Sequence, residues 1–352
     1  MFYLIAFIKV AVLMGVVLSI VPVLIWWERK GSAYIQDRRG PNRANILGIK
    51  LGGFIQNFPD AVKLLFKEEI IPAGAHRFLY LLAPVMAVTI TVSVAAVIPF
   101  SAPIRLGATV FTTQVADLNV GVLYILAVSS LSVYGLLLGG WASGGGYSTF
   151  GGIRAASQMI SYEAAMGLAM IGVVLYTGSA RPDEIVALQG ASVLDWNIFR
   201  QPLAFLIFLT CAFAETNRNP FDLPEGESEI VGYHVEYSSM KFALFFMAEY
   251  AHIVIASMII AVLFLGGWQV PFVSTEGLLS VLGFLGPANS VAGALIQAAV
   301  FMLKVLFICW FFIWVRWTLP RFRYDQLMGL GWKVLLPLAM INLIVTGFII
   351  LV

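Results

Sequence analysis

With 352 residues, 60% of them apolar and only 11% charged, and a mean hydropathy of +0.91, this chain cannot be a water-soluble globule, a class in which about a quarter of residues carry charge. Its formal net charge is only +2, and no nucleic-acid partner is expected. The two cysteines, Cys211 and Cys309, both fall in apolar runs, which excludes a disulfide framework and the thiolate set that an iron–sulfur cluster requires.

Runs of about twenty apolar residues predict an all-α polytopic membrane protein with about eight transmembrane helices, forming a single membrane domain over 1–352. The spans fall near 2–27, 78–99, 119–142, 157–177, 202–214 with a few residues more, 239–266, 294–317 and 332–352. The first has no small-residue cleavage site and contains Lys9, so it reads as a retained span and not a signal peptide. Residues 28–77 form a polar loop in which 50–67 alternate apolar residues and lysines at helical spacing. That pattern predicts an amphipathic interfacial helix, with Pro59 at a kink or a restart. Residues 271–293, broken by Pro271, Gly283, Gly286 and Pro287, read as short surface helices on the opposite side. The loops at 28–77, 143–156, 215–241 and 318–333, with Arg316 at a span end, hold sixteen of the 21 lysines and arginines. Positive-inside bias then places these loops in the cytoplasm and both termini outside.

The segment 215–238 is an acidic loop between two apolar helices, with Glu215, Asp222, Glu225, Glu227, Glu229 and Glu236 among the chain's nineteen acids. Acids crowded beside a bilayer core mark a proton or ion path, the bland alternative being a solvated loop. Glu163 and Glu249 lie within spans, where a carboxylate must be protonated or paired, as proton uptake and release require. The bland reading of these two is a structural counter-ion to Lys304, which lies mid-span and needs a partner, whereas Lys9 can snorkel to the near surface.

Four stretches carry a family resemblance: Glu28-Arg-Lys with Gln36-Asp-Arg-Arg-Gly-Pro-Asn-Arg43, Gly151 to Glu163, Glu215 to Glu229, and Trp317 to Met328. In these the chain resembles the membrane subunit at the quinone-binding junction of respiratory complex I, the NADH-quinone oxidoreductase of bacteria and mitochondria. It departs from the pattern at Asn57 and Pro59, at Gly144-Gly-Gly146, and in a run between Glu229 and Glu236 that is one residue short. The resemblance implies a quinone cavity touched by Glu28, Arg29, Gln36, Arg38, Arg39, Asp60, Arg218, Phe221 and Asp222. It also implies a proton relay through Glu163, Glu215, Glu225, Glu227, Glu229 and Glu249. Quinone would be the substrate and no cofactor would be bound by this chain, with flavin and iron–sulfur clusters in partner subunits. Those partners would be hydrophilic quinone-site subunits and antiporter-like membrane subunits, embedded with this chain in membrane lipid of a bacterial inner membrane or its equivalent.

The residues agree in kind. A quinone needs a greasy way in, for which the first span, the amphipathic stretch and the span at 239–266 are the candidates, and polar groups deeper in. Arg29, Arg38, Arg39 and Arg43 beside Glu28, Asp37 and Asp60 suit a reduced head group, although positive-inside topology alone accounts for such a cluster. Glu249 and His252 have the spacing of a di-iron ligand pair, but the further ligands of such a site are absent. The glycines at 144–146 and 151–152 form no dinucleotide fingerprint, so NADH is expected to bind elsewhere. Rival readings are the membrane anchor of an energy-converting hydrogenase and a secondary transporter, although no internal repeat supports the latter.

Overall fold

The computed structural model describes every residue except 1, 47, 107–108, 191, 227–228, 274–276, 278, 280–289 and 352. Glu227 and most of the surface helices expected over 271–293 therefore lie outside the described residues. Among the described residues the architecture is helical apart from one small hairpin, β1 (Ile104–Leu106) against β2 (Thr109–Phe111).

The first helix, α1 (Phe2–Ile35), runs eight residues beyond its expected end, so Glu28 and Arg29 sit on a helix and not in a loop. Nothing from 28 to 35 breaks a helix. The turn comes where Asp37 and then Gly40 take positive φ, ahead of Pro41. The amphipathic stretch is a short 3₁₀ run over Leu51–Gln56 followed by α2 (Asn57–Phe66), a restart as expected. Pro59 falls in the first turn of α2, where its missing N–H costs nothing. Asn57 Nδ2 ties the stretch to α1 by donating to Pro22 O at 2.8 Å, and Trp26 Nε1 donates to Gly52 O at 3.1 Å.

Next come α3 (Arg77–Val94), α4 (Gly121–Ser130), α5 (Ser132–Ala142) and α6 (Gly146–Thr177). The span expected over 119–142 is thus two helices broken at Leu131. Ser129 and Ser130 donate to the carbonyls three residues back, at 3.1 and 3.0 Å, in competition with the helix ladder there. Helix α6 starts eleven residues earlier than expected and takes in Gly151 and Gly152, which form no turn. A Cβ at Gly151 would stand 2.8 Å from Tyr233 N, and one at Gly140 of α5 would stand 3.1 Å from Gly152 Cα. The glycines are there for close approach, the small-residue packing of membrane helices.

The remaining helices are α7 (Pro182–Gln189), α8 (Asn197–Arg200), α9 (Pro202–Glu215), α10 (Ser239–Phe264), α11 (Val291–Thr318), α12 (Tyr324–Gly329) and α13 (Leu336–Leu351). A π-helical stretch, Leu330–Leu335, joins α12 to α13, so the last span begins well before the expected residue 332. Taking α4–α5 and α12–α13 each as one stretch, seven helical stretches among the described residues are long and apolar enough to cross a membrane. The other expected span is α9, whose 14 residues reach about 21 Å at 1.5 Å per residue, against a hydrocarbon core of about 30 Å. Helix α10 is the central post, packed by α1, α3 and α11, while α6 packs against α5, α9 and α13.

Two basic residues within spans find partners that their positions did not reveal. Among the described residues Lys304 meets no acid: its Nζ donates to the carbonyls of Leu265, Gly267 and Gln269 at 2.7, 2.9 and 2.7 Å and lies 4.2 Å from the Trp196 ring centroid. Three donors on three carbonyls just beyond α10 satisfy the ammonium, so neither Glu163 nor Glu249 is the counter-ion of Lys304. Lys9 does not reach outward alone; its Nζ donates to Gln114 O at 3.0 Å.

Candidate functional site

The acidic segment after α9 is not a solvated loop. Thr216, Asn217, Arg218, Phe221, Asp222 and Leu223 are all buried. Irregular backbone at this depth must find its hydrogen bonds within the protein. Gln158 of α6 supplies several, its Nε2 donating to Ala214 O at 2.7 Å and Phe221 O at 2.8 Å. Asn219 Nδ2 donates to Arg316 O at 2.9 Å and Leu319 O at 3.0 Å, and Phe322 N donates back to Pro220 O at 3.0 Å. The Phe221 ring lies between Tyr162 and Phe322, with centroids 5.6 and 5.4 Å away.

This fold brings a charged cluster together around Arg218. Its Nη2 stands 3.2 Å from Glu249 Oε2, and its guanidinium lies 4.4 Å from the Tyr250 ring centroid. Glu249 Oε1 accepts from Tyr233 Oη at 2.8 Å. Glu225 shares a hydrogen bond with Glu249 and lies 3.7 Å from His234. Ligand atoms of Glu225, His234 and Glu249 lie within 4.8 Å of one another, but a metal ion there would meet the Arg218 guanidinium. The hydrogen bond between the Glu225 and Glu249 carboxyls requires one proton between them. Burial, and after it the Glu249 charge, push Glu225 up to about 8. Asp222, paired with Arg321 at 2.7 Å, is pushed up to about 6 by burial and then by Glu225.

An acid with a raised pKa holds its proton until the pH passes that value. Glu225 is therefore neutral at pH 7 and ionises as the pH rises through about 8. In an infrared titration of the assembled protein, a protonated-carboxyl band should vanish over that range and be missing in Glu225→Gln. A band lost near the ordinary value of 4.5 would mean that water reaches this acid freely.

Toward α1 the cluster continues through Tyr250, whose Oη donates to Glu28 Oε2 at 2.7 Å, while Arg316 of α11 pairs with Glu28 Oε1. Arg29, one residue on, pairs with Asp60 of α2, which also accepts from Gln56 Nε2 at 3.2 Å. Gln36, Arg38 and Arg39 are not part of this cluster; they are exposed past the end of α1, with Arg38 Nε donating to Gln36 Oε1 at 2.7 Å. Arg43 is exposed as well. Glu229 sits at the surface, paired with Arg154 at 2.5 Å.

Deeper between the helices, Glu215 ends α9 and its Oε1 lies 3.3 Å from His252 Nε2. A cavity of about 20 Å³, lined by Glu215, His252, Tyr233 and Glu249, separates this pair from the Arg218 cluster. A second of about 10 Å³, lined by Glu215, Glu163, Ser129 and Ser130, separates it from Glu163. Each has space for about one water. Glu163 interacts with Ser130 across the smaller cavity and not with its sequence neighbours. Ser161 and Tyr162 face the last helices instead: Trp332 Nε1 donates to Ser161 Oγ at 3.1 Å and Tyr162 Oη to Leu327 O at 2.9 Å. Consecutive helical residues point about 100° apart, which accounts for the difference. Tyr233, Tyr250 and His252 were missed as members of the site. For His252 and Glu249 the i, i+3 spacing was a signal, since it sets both on one face of α10.

A roomier cavity, about 490 Å³, opens between α1 and α11 under Gly52. Trp26, Trp27, Trp310, Trp314 and Trp317 line it with Lys30. Its walls are α1 and α11, and among the described residues α10 contributes nothing to the lining.

The family model described as NADH dehydrogenase matches residues 8–347. The chain is 50% identical over 325 residues to NADH-quinone oxidoreductase subunit 8 of Rhodothermus marinus, covering 92% of this chain and 90% of that one. It is 47% identical over 329 residues to an NADH-quinone oxidoreductase subunit of Cytophaga hutchinsonii, with 92% and 90% covered. It is also 49% identical over 325 residues to an NADH-quinone oxidoreductase subunit of Salinibacter ruber, with 92% and 89% covered. Matched nearly from end to end by the family model and by these relatives, the chain belongs to the NADH dehydrogenase family of NADH-quinone oxidoreductase membrane subunits.

Proposed function

We propose that this chain is the membrane subunit that joins quinone reduction to proton translocation in an NADH-quinone oxidoreductase. Electrons arrive from an iron–sulfur cluster in a hydrophilic partner, flavin and clusters being held by partners and not by this chain. Quinone, the substrate, is reduced in a cavity that this chain builds in part. Glu28, Arg29, Asp60, Arg218, Phe221 and Asp222 belong to its wall or support it, and the exposed Gln36, Arg38 and Arg39 face the hydrophilic partner. The two protons and the charge demanded by the reduced head group are drawn through the acids Glu225, Glu249, Glu215 and Glu163 toward antiporter-like membrane partners, with Glu229 at the surface end of the path and Glu227 assigned to it on sequence alone.

The observation that carries this reading is the line of polar groups from α1 to α6. Glu28, Tyr250, Arg218, Glu249 and Tyr233 follow one another at 2.7 to 4.4 Å, and the two small cavities continue the line past Glu215 to Glu163. A structural ion pair needs two residues. A line of ionisable groups crossing a mostly apolar bundle is what a proton path requires. The reading takes residues 1–352 as one membrane domain in a bacterial inner membrane or its equivalent, both termini outside, with 28–77 and 215–238 on the cytoplasmic side. The relatives' names favour this over a hydrogenase anchor or a transporter.

A photoreactive quinone analogue applied to the assembled complex tests the cavity. Labelling on this chain between Glu28 and Asp60, suppressed by excess quinone, is the expected result. Labelling confined to partner subunits would remove this chain from the quinone site.

A further inference from the structure

We propose that His252 carries protons between Glu249 and Glu215, closing the gap in the line of acids; this rests on the relay reading above. Glu249 and His252 are three residues apart on α10 and therefore neighbours on one helix face. His252 Nε2 stands 3.3 Å from Glu215 Oε1, and the two side chains are each 14% exposed. Between Glu249 and Glu215 lies the cavity of about 20 Å³, and His252 is part of its lining. The same imidazole also lines a further cavity with Glu215, Ser129 and Met166, so it borders open space on two sides.

Imidazole suits such a place because one ring nitrogen accepts while the other donates, so a proton enters at one edge and leaves at the other. The Glu249 acid gives up its proton, directly or through one water, and an N–H bond forms at Nδ1. The Nε2–H bond breaks and that proton joins the Glu215 carboxylate. One O–H and one N–H bond break and one of each forms, so the negative charge passes from Glu215 to Glu249 while the ring stays neutral. The starting tautomer returns by proton exchange with water in the cavities the ring borders, Nε2 taking up one proton and Nδ1 releasing another.

The surroundings leave few competing groups. Glu215 faces the imidazole from α9, Glu249 shares its face of α10, and Tyr233 comes from the segment between those helices. Helices α3, α4 and α5 contribute the hydroxyls of Thr91, Ser129 and Ser132. Glu163 stands one cavity further on, across Glu215. Among the described residues no lysine or arginine lines either cavity that His252 borders, but Arg218 stands 3.2 Å from Glu249 Oε2 and Glu225 is hydrogen-bonded to Glu249, so the negative charge that the step leaves on Glu249 meets a cation.

The test uses the assembled complex in sealed vesicles with His252→Asn, which keeps a polar side chain beside Glu215, and His252→Ala. Quinone reduction and proton uptake should both fall about a hundredfold, the low end of the range for a lost proton-transfer group. The residual rate should show an increased solvent deuterium effect and a flattened pH profile. Electron transfer from NADH to ferricyanide, which bypasses the membrane part, should be unchanged. Normal rates and an unaltered pH profile in both variants, with Glu215→Gln inactive, would mean that water alone spans the gap and would overturn the proposal. Loss of ferricyanide reduction in both would make His252 a structural residue and overturn it equally. Normal turnover in Glu215→Gln would remove the relay reading, and this proposal with it.

Discussion

Glu215→Gln should leave the complex assembled and reduce quinone turnover and proton translocation together, by about a hundredfold or more. The amide keeps the shape of the side chain and can still hydrogen-bond His252, so the packing at the end of α9 survives, yet it holds no proton to pass on. Glu215 stands where both small cavities meet, with His252 and Glu249 on one side and Glu163 on the other. Blocking that junction interrupts the line at its midpoint. Glu163→Gln should behave in the same way. Asp183 and Glu184, outside the line in the first turn of α7, should tolerate the same change. Quinone reductase and proton-uptake rates on the same vesicles are the measurement. A variant that reduced quinone normally while pumping fell would show the two processes to be separable at Glu215.

Arg218→Met should have the largest effect on the folded subunit itself. Methionine fills much of the same volume but leaves Glu249 without its cation, with Glu225 hydrogen-bonded to it and Tyr233 Oη on its other oxygen. Removing one partner of a buried pair costs about 3–5 kcal/mol, because the remaining charge stays buried. Glu28 is less affected, since Arg316 still pairs with it. The expected result is a strong fall in the amount of this chain recovered in the complex, partly restored by adding Glu249→Gln to the same chain. Normal recovery of the single variant would show that the Arg218–Glu249 pair does not hold the subunit together.

Hydropathy revealed which stretches are helical and apolar, but not where polar helices continue. The hydropathy pattern ends α1 at 27 because Glu28, Arg29 and Lys30 look like water-facing residues. In the fold Glu28 is buried by Tyr250 and Arg316, which come from α10 and α11, more than two hundred residues away. For the same reason the pattern starts α6 at 157: Arg154 and the glycines before it read as a loop until Tyr233 and Gly140 show what they are packed against. The acids Glu215, Glu225 and Glu249 were legible as a group because carboxylates beside apolar runs are costly. Their bridging groups were not. Tyr233 and Tyr250 are ordinary residues in sequence, His252 was marked only by its spacing from Glu249, and only the crossing of α10 with the 216–238 segment turns them toward the acids. The partner of Lys304 was hidden more deeply still, since backbone carbonyls leave no mark on composition.

The relay is tested most directly by turnover and proton stoichiometry in one preparation of reconstituted complex carrying Glu163→Gln, Glu215→Gln or Glu249→Gln. Each variant should retain NADH-to-ferricyanide electron transfer while losing quinone reduction and proton uptake in parallel. If all three kept the normal rate and the normal number of protons per quinone, the buried acids would be structural counter-ions and the account of proton coupling through this chain would be wrong.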